Sequence, residues 1–306
     1  MKKLIKYLLI ASVMYYLFHG IKIENFVIAL EKYSFVWSFI VMFSVILSDF
    51  FLTLRWRFLT RGSVSLMASF EAIGISAFLN CILPAKAGEI SKIVYLKKFY
   101  NFKSTKSTAI LFMERIFDIL ILAIITMITA LYLIQIDHAI EYSAIVLFCV
   151  VVLFIVLKTM GIKKILMLIP FHKLRLFIFR TFKYTFEISK KRELFGNFVF
   201  TILVWISYFL TVYIFLVFVA HFNLSIKEIF IIFVISSVAM SIPLLPGGLG
   251  TYQAGVIFAL GIYGIEKEEA LIVGLLLQLF NTIPSFLVAF YIFEKKEITI
   301  SSFLNK

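Results

Sequence analysis

The sequence implies an all-α polytopic membrane protein, with about six full spans plus two re-entrant broken hairpins arranged as an inverted repeat. Composition is the first reason. Hydrophobic residues make up 62% of the 306-residue chain and charged residues 15%, with a mean hydropathy of +1.05. A soluble domain carries roughly half apolar and a quarter charged residues. The second reason is a break at Ile242 to Gln253, reading I-P-L-L-P-G-G-L-G-T-Y-Q, which holds two of the five prolines and three of the thirteen glycines. Proline cannot donate a backbone hydrogen bond and glycine tolerates positive φ, so a helix should stop near Leu245 and another begin near Thr251. The third reason is an earlier break, P-A-K-A-G-E at 84–89. It repeats P-x-x-x-G at one offset, since 246 − 84 and 250 − 88 both equal 162. In hydrocarbon, irregular backbone is tolerated only where protein buries it or it lines a wet cavity. Each break is therefore a candidate site.

Taken in order, Leu4–His19 reads as a first span retained after Met1-Lys-Lys, since no small-x-small cleavage site follows it. Phe35–Leu54 is the second, closed by Arg55, Arg57 and Arg61. Ser63–Leu83 follows, and here charge decides the topology. Lysines 86, 92, 97, 98, 103 and 106 face a single acid, Glu89. A full crossing would put them opposite the arginines, against the positive-inside bias, so a hairpin entering and leaving on the cytoplasmic side is expected. Ser107–Gln135 then crosses outward to Asp137, His138 and Glu141, and Tyr142–Leu157 returns.

Lys158–Arg192 interleaves basic with aromatic and aliphatic residues, as in Leu174 to Lys183. An amphipathic helix on the anionic inner leaflet accounts for it. Nucleic-acid binding is set aside because the flanking spans tie this segment to the bilayer. Phe198–Val219 crosses outward, and Phe230–Leu245 with Thr251–Tyr263 forms the second hairpin, entered from outside. Ala270–Phe293 crosses inward to Lys295 and Lys296. The expected layout is one membrane domain over 1–306, with repeat one at 35–135, a cytoplasmic linker at 158–196 and repeat two at 197–293. Both termini are expected in the cytoplasm, at the inner membrane.

Two helix starts, Gly88–Glu89 and Gly250–Thr251, offer unpaired N–H groups and the positive end of a helix dipole, which suits a phosphate. Lys86 adds a full charge beside the first, and Glu89 can balance it or meet a cationic headgroup. Pro246, Gly247 and Gly248 shape the second break. Glu114, Arg115 and Asp118 lie inside a span, where ionisable groups are costly and need partners; Lys86 or Arg55 could serve the acids. Asp49 raises the same question. Asn80, Gln253, Gln278 and Asn281 are polar residues in apolar runs, and interhelical hydrogen bonding is expected of Gln278 and Asn281. Pro284 should kink the last span. Cys81, Cys149 and four scattered histidines show no ligand spacing. No metal or cofactor is expected, and no G-x-x-x-x-G-K-[ST] loop points to ATP.

L-P-A-K-A-G-E at 83–89, E-R-I-F-D at 114–118, P-G-G-L-G-T-Y-Q at 246–253 and R-W-R at 55–57 resemble the lysylphosphatidylglycerol synthase transmembrane-region family. The resemblance implies a flippase-like membrane domain with two re-entrant helices, moving a modified phospholipid or a polyprenyl-linked precursor. Gln253 departs from the pattern, since many relatives carry an acid there. The longest polar stretch, 158–196, is short for a catalytic domain of about 100 residues, so the synthase activity in the family's name is not expected here. The reading is a non-enzymatic transporter of an anionic, aminoacyl- or polyprenyl-linked lipid. Its substrate contacts would be Lys86, Gly88, Glu89, Glu114, Arg115, Asp118, Pro246, Gly247, Gly248, Gly250 and Gln253. Its partners would be membrane lipid and a lipid-modifying or glycan-assembly enzyme, with no nucleic acid. The alternative is an accessory subunit or a membrane-embedded transferase using Glu89 with Asp118; an ion carrier is a third option.

Overall fold

The computed structural model describes residues 33–83, 86–131, 141, 145, 148, 170–242 and 246–297. Among these residues the chain forms helices and turns and no strand. The helices are α1 (Phe35–Leu59), α2 (Leu66–Ile82), α3 (Gly88–Tyr100), α4 (Ser104–Thr129), α5 (His172–Glu187), α6 (Lys191–Ile214), α7 (Ile226–Ser241), α8 (Thr251–Gly261) and α9 (Lys267–Lys296). A π turn, Phe215–Val219, extends α6, and a 3-10 turn, Pro246–Gly248, precedes α8. The expected spans Leu4–His19 and, apart from Ile145 and Phe148, Tyr142–Leu157 lie outside the described residues. So do positions 84–85 and 243–245 of the two breaks.

Among the described residues, three helices are long and apolar enough to cross a membrane: α1 from Val36, α6 with its π turn, and α9. Their side chains are arranged inside out. On α1, Ser44, Ser48, Thr53 and Arg55 are buried, whereas Phe39, Phe43, Ile46 and Phe50 are exposed. On α9, Phe286, Leu287, Phe290 and Tyr291 are exposed. Water would reject such a surface and lipid accepts it. The protein is an integral membrane protein.

Helix ends differ from expectation in two instructive places. Arg55 does not close α1, which runs on to Leu59 with Arg55 fully buried. The guanidinium finds carboxylates inside the protein, so the helix has no need to end there. Likewise α6 begins at Lys191 rather than Phe198. Glu193 in its first turn is buried and paired with Arg61, and an acid there also suits the helix dipole. The expected span at 107–135 corresponds to α4, whose Glu114, Arg115 and Asp118 make it more polar than α1, α6 and α9. The amphipathic segment is α5, starting at His172.

Both halves follow the order long helix, broken pair, long helix. In the first these are α1, α2 with α3, and α4; in the second, α6, α7 with α8, and α9.

The chain forms two compact units, the first from the described residues of Met1–Ile46, Ala77–Gly88 and Ser207–Leu287, the second from those of Leu47–Ser76, Glu89–Ile206 and Val288–Lys306. In the first unit α7 packs along α8. Gly255 permits the close approach, because a Cβ there would run into the Ala239 side chain. Trp37 stacks on Phe218 at 4.3 Å between ring centroids, and Ser44 shares a 2.8 Å hydrogen bond with Thr211. In the second unit α4 packs on α5, with Phe112 meeting Phe182 edge-on and the Lys106 ammonium over the Tyr184 ring.

Candidate functional site

The first unit contains both helix breaks. Lys86 stands exposed at the first break with a left-handed backbone (φ 54°), a conformation that costs a non-glycine residue roughly 1–3 kcal/mol. α3 starts two residues later at buried Gly88, where a Cβ would collide with the Asn80 backbone. Only glycine lets the chain double back so closely on the end of α2. At the second break, Gly247, Gly248 and Gly250 all take positive φ (64°, 73° and 82°), which an L side chain resists.

The two breaks approach one another. A Cβ on Gly247 would lie 3.5 Å from the Cα of Cys81, near the end of α2. A chain of amides fixes this turn. The Gly250 N–H donates to Gln253 Oε1 at 2.7 Å, Gln253 Nε2 donates to Gln278 Oε1, and Gln278 Nε2 donates to the Gly247 carbonyl at 2.8 Å. Gln253 is fully buried. The interhelical role expected of Gln278 is thus observed, and Gln253 shares it. Asn281 bonds the carbonyl of Leu277 on its own helix, and the Cys81 thiol lies near Thr282.

The second unit contains the charged cluster. Arg55 of α1 reaches two acids of α4, Asp118 at 2.7 Å and Glu114 at 3.1 Å, and also donates to Thr201 Oγ1 of α6 at 3.1 Å. Lys92 of α3 holds the other Glu114 oxygen at 3.0 Å, with its ammonium over the Trp56 ring. Arg115 bridges Glu89 of α3 at 2.9 Å and Asp118 at 3.4 Å. Cations Arg55, Lys92 and Arg115 balance carboxylates Glu89, Glu114 and Asp118. Arg55 and Glu114 are essentially inaccessible, Lys92 and Glu89 nearly so, and Asp118 and Arg115 are more open. Glu89 therefore pairs with Arg115, and Arg55 serves the acids as one of the two expected partners.

Two contributors were not singled out from sequence. Lys92 looked like one lysine of a topogenic cluster, although it faces i+3 from Glu89 on α3, a spacing that puts both on one side of the helix. Glu71 of α2 is buried and accepts hydrogen bonds from Tyr95 (2.7 Å) and Tyr100 (2.5 Å) of α3, tying together the limbs of the first broken pair. An acid in the apolar run S-F-E-A-I was the available signal.

The sequence-expected site residues thus fall into two sets. Lys86, Gly88, Pro246, Gly247, Gly248, Gly250 and Gln253 belong to the first unit, and Glu89, Glu114, Arg115 and Asp118 to the second.

Comparisons with known proteins agree that this is a membrane protein. The chain is 27% identical over 239 residues to a UPF0104 membrane protein of Methanocaldococcus jannaschii, covering 71% of this chain and 95% of that protein. No solved structure matches significantly. The family model described as the lysylphosphatidylglycerol synthase TM region matches residues 3–289, nearly the whole chain. The chain belongs to that family.

Proposed function

We propose that the protein is a flippase-like transporter that moves an anionic, aminoacyl- or polyprenyl-linked lipid across the cytoplasmic membrane. The observation that carries this reading is the meeting of both helix breaks in one unit, with Gly247 against Cys81. Each break is followed by a helix start, which carries roughly half a positive charge, and Lys86 adds a whole one. Such paired breaks in matching halves are the arrangement in which carriers bind substrate. The lipid phosphate would rest on the start of α3 beside Lys86, with the Pro246–Gly247–Gly248 turn opposite and the tails left in the bilayer. Taking the halves as an inverted repeat, with α2–α3 and α7–α8 re-entrant from opposite sides, movement would be a rocking of one repeat against the other.

The balanced cluster on α1, α3 and α4 supports a non-enzymatic role. Glu89 and Asp118, the pair a transferase would need, share Arg115. Their task in this reading is to hold α3, and with it the first helix start, in place.

The test is translocation of a labelled anionic lipid in proteoliposomes. Lys86→Ala is expected to slow transport about tenfold, equivalent to losing roughly 1.4 kcal/mol of headgroup binding. Lys86→Arg should retain most of the rate. An unchanged rate in Lys86→Ala would sink the headgroup site, and absence of transport by the wild-type protein would sink the transporter reading.

A further inference from the structure

Where α1 ends and α6 begins, the second unit has a cavity of about 430 Å³ lined by Leu54, Arg57, Phe58, Arg61, Arg192 and Glu193. Neither the helix breaks nor the balanced charge cluster uses it. Ligand pockets span roughly 300–1,000 Å³, so a headgroup fits. Both flanking helices are long enough to cross the membrane. Their ends therefore mark the depth at which the chain leaves hydrocarbon, which is also the depth of phospholipid phosphates.

The lining has two kinds of surface. Leu54 and Phe58 form an apolar wall, and the Phe58 ring is held by Phe200 at 5.6 Å and by Gly196, where any Cβ would strike it. The remaining wall is cationic. Arg61 is part of the frame: it pairs with Glu193 at 2.9 Å and donates to the Glu187 carbonyl at 2.7 Å. Arg57 and Arg192 are exposed, and no acid pairs with either among the described residues. Two exposed guanidiniums beside an apolar wall match a phosphodiester attached to hydrocarbon, since the guanidinium fork fits phosphate oxygens two at a time. The adjoining helix α5 strengthens the match. Lys173, Arg175, Arg180 and Lys183 give it a basic surface, while Phe171 before it and Leu174 within it expose apolar groups, the composition of a helix lying on an anionic leaflet.

We propose that this cavity binds the headgroup of an anionic phospholipid. Arg57 and Arg192 hold its phosphate, and Leu54 with Phe58 guides its chains toward the bilayer. This is a resident lipid rather than the cargo, and the assignment does not depend on the transport reading.

The experiment is native mass spectrometry of the full-length protein in mild detergent, supplied with phosphatidylglycerol and phosphatidylcholine in equal amounts. Wild-type protein is expected to retain phosphatidylglycerol about tenfold over phosphatidylcholine. R57Q/R192Q should reduce that preference to about twofold or less, and R57K/R192K should fall between, since an ammonium keeps the charge but not the fork. Thermal unfolding of each variant within a few degrees of wild type shows that the fold persists. Among the described residues no ion pair joins the Arg57 or Arg192 side chain to another helix, so this is expected of the arginine variants. Equal preference in wild type and R57Q/R192Q overturns the proposal. Loss in Lys86→Ala with retention in R57Q/R192Q also overturns it, by moving the lipid to the helix break. Displacement of the lipid by excess inorganic phosphate identifies a free-anion site and overturns the lipid assignment.

Discussion

Arg55 and Gln253 show how one side chain can organise its surroundings. Arg55 is fully buried, so the Coulomb attraction of Glu114 and Asp118 must offset the cost of dehydrating all three charges. Arg55→Ala leaves those carboxylates short of a cation and is expected to lower stability by about 3–5 kcal/mol, read as a large drop in the unfolding temperature in detergent. Arg55→Lys should fall between, because one ammonium cannot fork to two acids and Thr201 together. Wild-type stability in Arg55→Ala would show that the cluster is solvated. Gln253 acts through both ends of its amide. Gln253→Ala removes the acceptor of the Gly250 N–H and should cost about 1 kcal/mol, as for other N-terminal caps. Gln253→Glu keeps that acceptor but cannot donate to Gln278, so it should disturb the Gly247 turn more than the start of α8. Hydrogen exchange at 247–254 would separate the two effects.

Among elements, the first broken pair depends on Glu71 and Gly88. Glu71→Ala strands the buried Tyr95 hydroxyl and takes the acceptor from the more exposed Tyr100; both donate to one Glu71 oxygen, so Glu71→Gln keeps an acceptor for them. The alanine variant should therefore lose about 1–3 kcal/mol and the glutamine variant clearly less. Similar losses in both would mean that the negative charge, and not the hydrogen bonding, matters. Gly88→Ala must push α3 off the Asn80 backbone, and overpacking of that kind costs about 1–3 kcal/mol. Helix α7 carries the pH-sensitive start. Ser225 and Glu228 form a reciprocal cap, and the Ser225 amide and hydroxyl hold the Glu228 carboxyl below the usual carboxylate range. Its contribution is complete above the ordinary carboxylate pKa and is lost as pH falls through the lowered value. Amide protection at 226–229 should fall below about pH 4 in wild type. In Ser225→Ala it should be low throughout; pH-independent protection in wild type would exclude the cap.

For the whole molecule, the topology has an orthogonal test. Single cysteines at Lys190 and Glu266, in a background lacking Cys81 and Cys149, should label from opposite sides of the membrane, Lys190→Cys from the cytoplasm. Labelling from one side would remove the inverted arrangement and leave only the shared helix order.

Much of this molecule can be read along the chain. Apolar content, the two proline–glycine breaks and their common offset are local properties, because proline and glycine act on their own backbone and hydrophobic runs respond to lipid residue by residue. Hence the helices, the pauses at 86–87 and 246–250 and the amphipathic α5 were legible. Partners were not. Nothing local tells Arg55 that it will be buried against Glu114 rather than close its helix, tells Lys92 that it is not merely a topogenic charge, or pairs Glu71 with two tyrosines. Those outcomes are decided where separate helices meet, because the electrostatic cost of a buried charge depends on groups far away in sequence. The sequence therefore determined the elements and the solvent they face, and the tertiary packing decided which charges are held inside and which, such as Arg57 and Arg192, remain exposed.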